Sequence, residues 1–106
     1  MALFAVTLVL LHGVVMRGPT QPVCQVGQPC SAPAANVSLV FARRGHVAAR
    51  VRTDARGTYS VRLRPGTYTV RVAPQPTIGS GLRPGRVSVV SGRAHRVNFF
   101  IDTGIR

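Results

Sequence analysis

Asp54 and Asp102 are the only carboxylates in this 106-residue chain, so any reaction that needs a carboxylate pair has to use both of them. Asp54 falls in a turn-rich stretch and Asp102 close to the last residue, and nothing in their spacing links them. Asp102-Thr103-Gly104 spells D-T-G, the triplet with which dimeric aspartic proteases pair two carboxylates. In those enzymes most of the fold follows the triplet, whereas two residues follow it here, and a terminal turn with Asp102 capping backbone amides is the plainer reading. His12, His46 and His95 are scattered, no G-x-S-x-G elbow is present, and no carboxylate is placed to orient a histidine. The glycines of IGSGLRPG lack the helix and lysine of a phosphate-binding loop. A metal site needs three or four closely spaced ligands, and the sequence offers no such set. The expectation is a chain without catalytic residues, metal or cofactor. A small hydrolase would require His12, His46 or His95 to converge in a cleft.

The basic side is richer: 14 cationic residues stand against 2 acidic ones, and every one of them is arginine. Such a surface attracts phosphates, anionic lipids and acidic glycans, although a genome biased toward GC also yields arginine without lysine. Arg50, Arg52, Arg62, Arg64 and Arg71 all occupy the solvent parity of alternating segments, so neighbouring strands would merge them into one basic sheet face. Its partners would be an anionic envelope polymer, a membrane surface or a protein. Nucleic acid is expected only for a chain that is never exported, and the two tyrosines, Tyr59 and Tyr68, sit on the buried parity where they cannot stack on bases.

Ala2 to Leu11 reads ALFAVTLVLL, which has the length of a signal-peptide core and is too short to span a membrane. No small-x-small site follows it, and no basic residue precedes it, the latter being what a translation start set too far downstream would explain. The alternative is that this stretch opens the first strand. Residues 1–11 are expected as a leader or apolar segment, residues 12–106 as the domain, and the location as secreted or envelope-associated. Cys24 and Cys30 are the only cysteines, and an even count beside an export signal favours a disulfide, worth about 2 kcal/mol for so short a loop.

These residues need elements to hold them, and the elements read as β. Glycine and proline are frequent, and seven short segments carry strand character. They are HGVVM around Val14; VSLVFA, with Val37, Leu39 and Phe41 on one face; VAARVRT, with Val47, Ala49 and Val51 inward; TYSVRL, with Tyr59, Val61 and Leu63 inward; TYTVRV, with Tyr68, Val70 and Val72 inward; RVSVVS; and HRVNFFI. Pro65-Gly66 between the fourth and fifth predicts a hairpin. Loops are expected from Arg17 to about Asn36 and from Ala73 to Pro84.

Residues 52–72, RTDARGTYSVRLRPGTYTVRV, resemble the signature of carboxypeptidase regulatory-like domains. In that family a strand ends in T-D, a glycine turn follows, then an aromatic-led strand, a P-G turn and a Y-x-V strand. The matching positions here are Thr53, Asp54, Gly57, Tyr59, Leu63, Pro65, Gly66, Tyr68 and Val70. The stretch GVVMRGPTQPVC and the ending NFFIDTGIR are similar to small exported bacterial members. The resemblance implies a seven-stranded antiparallel Greek-key β-sandwich of the transthyretin-like kind, used as a non-catalytic structural or binding module, and it brings no catalytic residues. The transthyretin-type hydrolase shares that fold, but its terminal Y-R-G-S is absent here. A carbohydrate-binding module is a further reading by fold analogy, without tryptophan to support it.

Overall fold

A computed structural model describes residues 7–20, 27, 30–73 and 81–103. Among these there is no helix. The strands are β1 (Val9–Gly18), β2 (Ala32–Pro33), β3 (Ser38–Arg43), β4 (His46–Arg52), β5 (Thr58–Leu63), β6 (Gly66–Ala73), β7 (Gly81–Arg83), β8 (Arg86–Val89), β9 (His95–Arg96) and β10 (Phe99–Asp102).

They form two sheets. In the first, β1 is central: β5 and then β2 pair antiparallel with it along one side, β9 and then β10 pair parallel with it along the other, and β7 adds to β10. The second is antiparallel throughout, in the order β4-β3-β6-β8. Period-two alternation turns one face of each sheet inward, and the two inner faces share a single apolar core. Val9, Leu11, Val15, Tyr59, Leu63, Phe99 and Ile101 come from the first sheet, and Leu39, Phe41, Tyr68, Val70, Val72, Val87 and Val89 from the second. Phe41 reaches across to Tyr59 and Phe99, with ring centroids 6.4 Å away in each case, and Tyr59 lies 5.5 Å from Phe99.

Each of the seven expected segments contains strand, but ten strand segments are found rather than seven, and two pairings of β1 are parallel. Two of the additions, β2 and β7, are short ladders inside the stretches expected as loops. The last expected strand is split, because at Val97-Asn98 the side chain of Asn98 takes over as acceptor for the Val14 amide (3.0 Å). β9 and β10 nevertheless keep one register along β1.

β1 is longer than the expected five residues around Val14. It begins at Val9 and crosses the expected boundary between residues 11 and 12, with Leu11 fully buried. β5 and β6 are not a hairpin: β5 pairs with β1 and β6 with β3, so the chain crosses from one sheet to the other at Pro65-Gly66. Alternation is the same for two strands side by side and for two strands facing each other, which is why the pattern did not separate these cases.

The β3–β4 hairpin forms as expected, closing at Arg43 and His46 around a two-residue turn. Arg44 (φ 53°) and Gly45 (φ 80°) give it the left-handed backbone conformation that usually calls for Asn-Gly, so an arginine at the first position costs about 1 kcal/mol. A register shift at Phe41/Ala42 leaves Ala48 without a partner and turns Val47 outward, 48% exposed, where alternation placed it inward.

Candidate anion-binding faces

All thirteen arginines among the described residues are exposed. Arg50, Arg52 and Arg71 share the outer face of the β4-β3-β6-β8 sheet. Arg50 and Arg71 stand on either side of Val40, and Arg52 lies opposite Ser38. Val40 points outward yet is fully buried, as expected when arginine stems from both neighbours lie over a small apolar residue and keep their guanidinium groups in water. Arg86, opposite Thr69 on β8, joins this face. Arg86 is not among the five arginines expected on this face, although it precedes Val87 with the same alternation. No carboxylate occurs on these four strands.

Arg62 and Arg64 do not belong to that face. β5 lies in the first sheet, where Arg62 is opposite Leu10 of β1, so the single five-arginine face expected from sequence is divided between two sheets. At the end of the sandwich where β5 runs out, these two and Arg43 line a cleft of about 390 Å³ with Leu8, Ala48, Leu63 and Tyr68.

The nine positions of the sequence signature build the frame. Thr53 is 2% exposed, donates its hydroxyl to the Ala34 carbonyl and accepts from the Val37 amide (3.0 Å). Gly57 has φ 77°, and a Cβ there would lie 2.5 Å from the Val15 carbonyl oxygen. Tyr59 is opposite Gly13 on β1, and its hydroxyl donates to the Val97 carbonyl (2.6 Å) between β9 and β10. A Cβ on Gly13 would run into that same carbonyl, so the bare glycine lets the tyrosine ring lie across the central strand. Burial pushes the Tyr59 phenol well above its ordinary pKa. Tyr68 donates to the Arg64 carbonyl (2.6 Å), bracing the crossing at Pro65-Gly66 in the manner of a tyrosine corner. Leu63 and Val70 are core residues of opposite sheets.

Asp54 Oδ1 accepts from the Thr58 and Arg56 amides, both at 2.9 Å, and these bonds, with the Arg56 charge adding to them, hold the carboxyl below the ordinary carboxylate range. A carboxylate whose pKa is lower in the folded than in the unfolded chain stabilises the fold above the unfolded value, near 4, and loses that contribution as pH falls through the folded value. Asp54→Asn is therefore expected to flatten the acid limb of a plot of melting temperature between pH 7 and 2. A variant curve parallel to that of the wild type would contradict the assignment.

The other candidate groups stay dispersed. His12 lies on β1 and His95 on adjacent β9, where His95 Nε2 is within 3.0 Å of the Val90 carbonyl and 3.1 Å of its amide, while His46 closes the hairpin of the other sheet. Among the described residues no three His, Cys, Asp or Glu side chains group to hold a metal ion. Thr103 donates to the Gly18 and Pro19 carbonyls, and Gly104 of the D-T-G triplet lies outside the described residues. Cys24 also lies outside them, and the expected Cys24–Cys30 bridge with it; Cys30 is not a free thiol. A scan against protein-family models and a search of curated proteins found no match to this chain.

Proposed function

We propose that this chain is a non-catalytic β-sandwich module of the transthyretin-like, carboxypeptidase regulatory-like kind, and that it binds anionic polymers at the cell envelope through the outer face of its four-stranded sheet. The observation that carries this reading is the grouping of Arg50, Arg52, Arg71 and Arg86 on one sheet face whose strands hold no carboxylate. With 14 arginines against 2 acidic side chains, most of the cations have no intramolecular carboxylate side chain to pair with one-to-one. Neighbouring strands stand about 4.8 Å apart, which puts Arg50 and Arg71 about 10 Å from each other across Val40 and suits a repeating anion rather than a single one. The family reading is supported by the signature residues, each of which has a structural task in this fold. The Greek-key topology, a Cys24–Cys30 disulfide and an extracytoplasmic location belong to the same proposal.

The test is polyphosphate binding by isothermal titration over a salt series. The wild-type protein should bind and weaken steeply with salt, since the screening length falls from about 10 Å at 0.1 M to about 3 Å at 1 M. Arg50→Gln/Arg71→Gln should lose roughly tenfold in affinity and part of the salt slope, at about 0.7 kcal/mol for each cation removed. Unchanged affinity in this variant would remove the sheet face from the function, and tighter binding to single-stranded DNA than to polyphosphate would move the partner class to nucleic acid.

A further inference from the structure

The second arginine group differs in shape from the sheet face. Arg62, on β5, and Arg64, just past the strand's last residue Leu63, both line this cleft. Arg43, arriving from the end of β3, completes a three-sided cationic rim around a concave site. It is held there: Arg43 Nη1 donates to the Pro65 carbonyl (3.4 Å), and its guanidinium lies over Gly66, where an added Cβ would be 2.9 Å from the guanidinium carbon. One N–H of five is spent on that bond, and the rest of the fork remains to donate. The rim carries no carboxylate, and the floor is apolar, formed by Leu63 and Tyr68 with Leu8 at the mouth. The Tyr68 hydroxyl is already committed to Arg64, so what the floor offers a ligand is ring and methyl surface. Beside the rim, Arg44 keeps its left-handed backbone where asparagine or glycine would sit without strain, and it adds a fourth cation to this end of the sandwich.

We propose that this cleft is a binding site for a phosphate ester carried on a short apolar body, the phosphoryl group held by Arg43, Arg62 and Arg64 and the apolar part resting on Leu63 and Tyr68. Three guanidinium forks match the charge and the oxygen geometry of a phosphate dianion, and a volume of about 390 Å³ admits a ligand of about the size of a phenyl ester. The site is separate from the sheet face, so each can fail without the other. A soluble ester and a lipid headgroup share this chemistry, and the test distinguishes them.

The probe is phenyl phosphate, titrated into the full chain with amide shifts followed by NMR. Saturable shifts are expected at Ala48, Leu63 and Tyr68, with binding about tenfold tighter than that of inorganic phosphate, a ratio equal to about 1.4 kcal/mol. Arg62→Gln/Arg64→Gln, both exposed positions, should weaken phenyl phosphate about tenfold, while Arg50→Gln/Arg71→Gln should leave it within about twofold. In a parallel arm, capture by phosphatidylcholine vesicles containing phosphatidic acid, lost in Arg62→Gln/Arg64→Gln and kept in Arg50→Gln/Arg71→Gln, supports the site with a lipid headgroup as its source. Saturable phenyl phosphate binding without such capture supports it with a soluble ester. Shifts that do not saturate, affinity equal to that of inorganic phosphate, or equal weakening in the two double variants would overturn the proposal.

Discussion

A chain that begins at His12 is expected to show no cooperative unfolding transition in urea, whereas one that begins at Thr7 unfolds as the full chain does. The difference is the first half of the central strand. Val9 and Leu11 are 4% and 0% exposed and belong to the core, and β5 pairs with β1 from Val9 to Val14. Removing two fully buried aliphatic side chains withdraws roughly 3–6 kcal/mol of transfer free energy before any cavity term, and the lost ladder adds to it. Small domains have about 5–15 kcal/mol in all. Circular dichroism during urea titration reads the outcome, and a cooperative transition at the full-length midpoint would show that the strand starts later than Val9. The apolar run Ala2 to Leu11, expected as a leader, thus overlaps the domain from Val9 onward, and processing at or beyond Leu11 would remove part of the core.

Phe41→Ala is expected to lower stability by about 3–5 kcal/mol. Phe41 is fully buried and is the ring of the second sheet that meets both inward-facing aromatic residues of the first, Tyr59 and Phe99. Its approach to Phe99, with ring planes 70° apart, is an edge-to-face contact worth roughly 1 kcal/mol beyond the area it buries. Phe100, half-buried on the outer face of the first sheet, provides the comparison, and its alanine variant should lose less than half as much. Equal losses at the two positions in chemical denaturation would mean that the sheets are not joined through Phe41.

Alternation from Tyr59 to Val72 places side chains correctly because it is a property of one strand, which is why every residue of the β5 and β6 pattern faces as read. Pairing is a property of two strands, and neither Pro65 nor Gly66 distinguishes a chain that turns back beside itself from one that crosses to the opposite sheet. The division of Arg62 and Arg64 from Arg50, Arg52 and Arg71 follows from that one ambiguity. Val47 was misplaced for another reason: a single extra residue at Ala48 inverts parity on one side of the bulge, and the sequence there, HVAAR, has no glycine to mark it. Thr53, Asp54 and Gly57 were recognisable as a pattern, but their bonds to the Ala34–Val37 stretch, the Thr58 amide and Val15 could be assigned only once those partners were placed. Gly13 carried no signal of its own, since its use depends on Tyr59, nearly fifty positions later.

The register of β1 against β10 sets the order in which this protein can come into being on the ribosome. The innermost strand is made before the segments that cover one side of it, and from Leu11 to Gly18 that side stays unsatisfied until His95 to Asp102 follow. The antiparallel sheet of β3, β4, β6 and β8 can close earlier, from segments nearer to one another along the chain. A nascent chain therefore carries an unpaired strand edge throughout the synthesis of the segments between β1 and β9, and the completed fold belongs with the slow, non-local class that takes about milliseconds to seconds.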